Sequence, residues 1–112
     1  MKMTAITFFS GEYAFLSNFF SHPLLFHSVE YKTAEHAFQA LKTTNPDELW
    51  SIVKAKTPGQ AKRLGRRCKL RADWEQVKLI MMRDVLCAKF SDNDLGQRLL
   101  RTGDAHLEEG NH

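Results

Sequence analysis

From Thr33 onward the sequence starts one helix after another, and the starts share one grammar. Thr33 stands where a cap belongs, before a periodic run that reaches about Lys42. Asn45-Pro46-Asp47-Glu48 places a cap, a proline at the first helical position and an acid three residues after the cap. Thr57-Pro58-Gly59-Gln60 repeats the pattern, and Asp73-Trp74-Glu75-Gln76 offers a fourth cap. Trp74, Val77, Met81, Val85 and Ala88 recur at spacings of three and four, so Asp73 to about Phe90 reads as one long amphipathic helix. Ser91 or Asp92 can cap a last helix, and Gly103 sits where a C-terminal stop belongs.

The residues before Thr33 obey other rules. Ile6–Phe9 reads as a short strand and Gly11-Glu12-Tyr13 as a turn. Phe15 to Pro23 is aromatic without a clean period; Pro23 bars a helix interior, so an ordered loop or short strand is expected. Leu24–Tyr31 is a second strand candidate. Two or three strands followed by five helices make a small, helix-dominated α+β domain with a short N-terminal β-sheet. The 112 residues fit a single domain over 1–112. Apolar residues make up 43%, with eight Phe and two Trp, which fills a core and excludes disordered, collagen-like and disulfide-scaffold classes. No apolar run approaches the roughly 18–20 residues of a membrane span. Met1–Ser10 lacks the pattern of a signal peptide, so a soluble, cytoplasmic protein without a membrane partner is expected.

The net charge is a mild +3, but its distribution is uneven. Lys62, Arg63, Arg66, Arg67, Lys69 and Arg71 crowd into one segment. Such a cluster suits a phosphate-bearing ligand or nucleic acid. It serves equally as a solvated helix face. Cys68 and Cys87 match no zinc spacing and no C-x-x-C, and read as idle or buried thiols. The five histidines show no paired spacing, so neither a metal nor a cofactor is expected.

Four constellations can carry chemistry. On the helix after Thr33, the residues Ala34, Ala37, Phe38 and Leu41 form an apolar stripe. Glu35, Gln39 and Lys42 stand at i, i+4 and i+7, on one ridge beside it. A carboxylate, an amide and an amine there could supply general acid–base and nucleophilic chemistry; they could equally be the wet side of a helix. The helix opening at Thr57-Pro58-Gly59 turns a positive dipole end outward, with Lys62 and Arg66 one turn apart, which fits phosphate. Trp74 is either a core anchor or an indole that stacks on a base or ribose. Asn18-Phe19, inside the aromatic segment, either fixes its own loop or binds a polar ligand group.

These segments, in this order, resemble the NADAR (YbiA-like) domain family. The resemblance rests on Phe8-Phe9-Ser10, Phe15-Leu16-Ser17-Asn18-Phe19 and the run from Glu30-Tyr31 through Glu35-His36-Ala37-Phe38-Gln39 to Lys42. It continues through Thr57–Arg66, Leu70-Arg71-Ala72-Asp73-Trp74, Ala88-Lys89-Phe90, Leu99–Gly103 and Leu107-Glu108-Glu109-Gly110-Asn111-His112. The resemblance implies an N-glycosidase that cleaves between a ribose C1 and a nitrogen. It implies phosphoribosylated aminopyrimidine intermediates of riboflavin synthesis, or ADP-ribose on guanine in nucleic acid, as substrates. Glu35 and Trp74 match the family's functional glutamate and tryptophan. A lysine that attacks the anomeric carbon and forms an imine is also implied: Lys42 shares a ridge with Glu35, and Lys62 is the rival. Asn18, Phe19, Tyr31, Gln39, Lys62, Arg66, Glu109 and Asn111 are the expected ligand contacts. Family members usually continue past the Gly-Asn-His segment with an acid and a Trp-Gly pair, and this sequence ends at His112. A binding module that holds ADP-ribose without turnover, or a nucleic-acid binder using Lys62–Arg71, are the alternatives.

Overall fold

A computed structural model describes residues 5–6 and 9–107. Its core element is α1 (Ala34–Ala40), preceded by β1 (Ala5–Ile6), a 3₁₀ helix (Gly11–Leu16), β2 (Leu24–Phe26) and β3 (Val29–Tyr31). α2 (Pro46–Lys54), α3 (Pro58–Arg67), α4 (Trp74–Phe90), α5 (Asn93–Leu100) and β4 (His106–Leu107) follow. The α+β class and the five α-helices agree with the sequence.

The caps explain the helix starts. The Thr33 hydroxyl accepts from His36 N, Asn45 Oδ1 from Asp47 N and Glu48 N, and Thr57 Oγ1 from Gln60 N. Asp92, rather than Ser91, caps α5 by accepting from Leu95 N. Asp73 departs from the pattern: its carboxylate takes Arg71 Nε at 2.6 Å and makes no cap bond. Gly103 has φ +61°, the left-handed conformation that lets the chain leave α5 toward β4.

The strands differ more from expectation. Leu24–Tyr31 is a hairpin, with Leu24 opposite Tyr31 and Phe26 opposite Val29. His27 and Ser28 turn it with φ of 49° and 65°, as a two-residue type I′ loop requires. The 3₁₀ helix takes in the expected turn and the first residues of the aromatic segment; the rest of that segment, 17–23, is turn and loop as expected. β1 does not join the hairpin; it pairs in parallel with β4, Ala5 opposite His106 and Ile6 opposite Leu107. The N-terminal sheet is therefore two separate two-stranded sheets.

Two apolar clusters follow. One joins Leu24, Phe26 and Tyr31 to Ala34, Ala37, Ala40, Ile52, Ala61 and Val85. The other joins Ile6, Phe15, Leu16 and Leu95, with Phe20 and Phe90 against it. Trp74 and Val85 of the α4 stripe are buried, and Val77, Met81 and Ala88 are half-buried, while Leu79 and Ile80 face out. No helix among the described residues is long and apolar enough to cross a membrane.

Because α1 packs against β3, α2, α3 and α4, it is enclosed on nearly every side. Its residues must be small or paired, and they are. His36, wholly buried, receives a hydrogen bond from the Thr33 hydroxyl at Nδ1 (2.8 Å) and donates from Nε2 to Ala55 O (2.9 Å). That carbonyl fixes the neutral tautomer. Burial, aided by the Lys32 charge, lowers the His36 pKa against the opposing pull of the Ala55 carbonyl. Thr33→Ala removes both the cap and the imidazole's partner. It should cost about 2 kcal/mol of stability, read by chemical denaturation.

Candidate active site

The polar ridge of α1 is buried, not wet. Glu35 is 7% exposed and Gln39 3%. Gln39 Nε2 donates to Glu35 Oε2. Gln39 Oε1 is buried and has no hydrogen-bond partner. An unpaired buried acceptor costs about 1–3 kcal/mol and marks a group kept for something other than stability.

Gly65 explains how a glutamine side chain fits there. A Cβ at that position would lie 2.8 Å from Gln39 Cδ and closer still to its Oε1. α3 can therefore lie against α1 only where it has no side chain. Gly65 escaped the sequence reading because one glycine inside a helical run says nothing of its neighbour.

Lys42 stands beyond the last turn of α1, which ends at Ala40 rather than at the lysine. It is half-buried, with Nζ 5.9 Å from the Phe38 ring centroid. Phe38 in turn packs on Trp74, centroids 5.2 Å apart and tilted by 53°. Arg71 N donates to Lys42 O at 2.7 Å, which ties the start of α4 to the end of α1. Trp74 is 6% exposed, with its indole against the Phe38 ring, and is as buried as Glu35. Tyr31 is 3% exposed and sits in the core, its hydroxyl pKa raised by burial; strand alternation sends it inward beside Leu24.

On the other side, Asn18 O accepts from Glu35 N at 2.9 Å, so the aromatic segment is seated on the first turn of α1. Asn18 Nδ2 points to Met82 Sδ at 3.7 Å. Phe19 is 43% exposed, and Lys62 Nζ lies 6.0 Å from its ring centroid. Lys62, Arg63, Arg66 and Arg67 are exposed on α3, and none is in an ion pair among the described residues. The α3 start is less open than expected, because Thr57 occupies Gln60 N and Gln60 Oε1 accepts from Lys56 N. Glu109 and Asn111 lie outside the described residues.

Two other features bear on the site. Cys68 is half-buried with its thiol pKa raised by burial, whereas Cys87 is exposed; both are free thiols. Lys89 of α4 is 2% exposed, and desolvation lowers its pKa from 10.5 to about 8. Between those two values the unfolded chain holds a proton that the folded chain has released, so stability should rise as pH rises from 8 toward 10.5. Below pH 8 the buried charge costs about 3 kcal/mol at 1.36 kcal/mol per pKa unit. Denaturation of wild type and Lys89→Met at both ends of that window should show their difference shrinking with pH. Among the described residues no three His, Cys, Asp or Glu side chains converge in the way a metal ion needs.

A buried carboxylate–amide pair on α1 and an aromatic turn beneath the basic α3 stand together on this α+β scaffold. The NADAR domain model matches residues 7–111, and the chain belongs to that family. It is 39% identical to the N-glycosidase YbiA of Escherichia coli (strain K12), over 97% of this chain and 71% of that protein. It is 36% identical to an N-glycosidase of Nostoc punctiforme, over 87% of this chain and 66% of that one. It is 31% identical to a riboflavin biosynthesis protein of Vibrio vulnificus, over 89% of this chain and 28% of that one. The NMR structure of E. coli YbiA is similar with a TM-score of 0.86 and 37% identity, across 97% of this chain and 68% of that chain.

Proposed function

We propose that this chain is an N-glycosidase that hydrolyses a ribose–nitrogen bond in a phosphoribosyl or ADP-ribosyl substrate. The substrate is either an aminopyrimidine intermediate of riboflavin synthesis or ADP-ribosyl guanine in nucleic acid. The observation that carries the reading is the buried Glu35–Gln39 pair on α1. The family's N-glycosidase relatives support the reaction class. The relative named for riboflavin biosynthesis supports the first substrate type.

The placement of these side chains supports the following roles. Phosphate or diphosphate lies along the exposed Lys62–Arg66 face, where guanidinium offers two-pronged contacts. Phe19 packs on the ribose or base. Glu35 moves the proton and stabilises the positive charge that grows at C1, as carboxylates do in glycoside cleavage. Lys42 gives up its proton to Glu35 and forms a C1–N bond. The base departs with the bonding pair and picks up that proton. Ring opening leaves an imine on Lys42; water hydrolyses it, returning the amine and the free sugar. No cofactor enters the scheme. Trp74 and Phe38 hold Lys42 in place.

Borohydride added during turnover reduces an imine to a stable secondary amine. Peptide mass mapping should then find the sugar adduct on Lys42. An adduct on Lys62 would move the nucleophile to α3, and the absence of any adduct during active turnover would remove the covalent step.

A further inference from the structure

Lys89 takes no part in this chemistry, yet it heads the fully buried side chains by size. Its ammonium meets no carboxylate among the described residues. It donates to Ser17 O at 2.7 Å and lies 5.8 Å from the Phe20 ring and 5.1 Å from the Phe90 ring. An apolar side chain of similar volume would fill that space without a desolvated charge. The ammonium therefore has a use that packing does not explain.

Its partner shows what the use is. Ser17 O also accepts from Phe20 N at 3.1 Å, and Ser17 Oγ accepts from Phe19 N at 3.1 Å, which together close a tight turn over Ser17–Phe20. Asn18, inside that turn, accepts the Glu35 amide, and Phe19 is the residue displayed beneath Lys62. The turn is thus held to α1 through Asn18 O, and to α4 through the buried Lys89 ammonium at Ser17 O and the weaker Asn18 Nδ2–Met82 Sδ contact. Arg98, 5.9 Å from the Phe20 ring, and His22, stacked on Phe20 and 3.6 Å from Asp92, flank it without touching Ser17 O.

We infer that Lys89 is a positioning residue: it fastens the Ser17–Phe20 turn to α4 and thereby sets Phe19 and the Asn18–Glu35 contact at the site. Its effect on turnover rests on the proposed N-glycosidase reading; its effect on the turn does not.

The test compares wild type, Lys89→Met and Lys89→Arg. Three readouts are taken: Tm, chymotryptic cleavage after Phe19 and Phe20 under native conditions, and the KM and kcat of sugar release. Lys89→Met should melt at or above the wild-type Tm, be cut at the turn about tenfold faster, and show KM raised about tenfold with kcat changed by less than about twofold. Lys89→Arg, which keeps donors for Ser17 O, should recover part of both losses. Wild-type cleavage in a folded Lys89→Met variant would overturn the inference. A fall in Tm with kcat and KM shifted together in both variants would overturn it too, making Lys89 a plain core strut. Should the wild type release no sugar, the functional reading fails, and the cleavage assay still decides the role of Lys89.

Discussion

Glu35→Gln is expected to lower kcat by about a thousandfold while the protein stays folded. The substitution keeps the shape of the side chain, and Gln39 Nε2 still finds an oxygen to donate to. Only the charge and the transferable proton are lost. Since Glu35 is 7% exposed, water cannot readily replace it as a base. The measurement is kcat for sugar release beside a thermal melt of the same preparation. A variant with near-wild-type kcat would place the proton chemistry on another residue.

Gly65→Ala should be damaging out of proportion to its size. Alanine normally favours a helix interior over glycine by about 1 kcal/mol. Here its Cβ would collide with the Gln39 amide, 2.8 Å from Cδ and nearer to Oε1. Either α3 moves off α1 or Gln39 leaves its place; overpacking of this kind costs about 1–3 kcal/mol and should outweigh the propensity gain. If Gln39 moves, Glu35 loses its hydrogen-bond donor, and kcat/KM should fall about tenfold or more. The double variant Gln39→Ala, Gly65→Ala removes the collision with the amide and leaves a 3.1 Å approach between the two Cβ atoms, eased by a shift of a few tenths of an ångström. It should regain the stability lost by Gly65→Ala but not the activity, and unfolding curves with a double-mutant cycle would show that coupling. Strict additivity of the two changes would mean that the two side chains do not meet as described.

The helices were legible in the sequence and most of the strands were not, for physical reasons. Thr33, Asn45, Thr57 and Asp92 are local devices: each satisfies an amide two or three residues away, so spacing alone reveals it. Asp73 has the same spacing, yet Arg71 offers its carboxylate a stronger partner, and local grammar cannot weigh that competition. The hairpin at His27-Ser28 uses a turn usually built from Asn-Gly, so no turn signal stood out. β1 finds its partner at the far end of the chain, which no window of sequence can hold.

The site divides in the same way. Glu35, Gln39 and Lys42 share a ridge by helical arithmetic, and the structure brings the first two into contact. Their burial was invisible, because it comes from three other helices closing on α1. Trp74 reads from sequence as either a core anchor or a stacking indole, and the structure buries it against Phe38. Gly65 and Lys89 lie in segments that carry the family resemblance, but sequence assigns them no role because each acquires its meaning from one distant atom: Gln39 Oε1 for the glycine, Ser17 O for the lysine.

The central claim is cleavage of a ribose–nitrogen bond. The most direct test incubates the protein with ADP-ribosylated guanine DNA and, separately, with the phosphoribosyl aminopyrimidine, and detects released sugar by mass. The account predicts release from one of the two, abolished by Glu35→Gln. No release from either, together with a rise in Tm on adding ADP-ribose, would contradict it and leave a module that binds the ligand without turning it over.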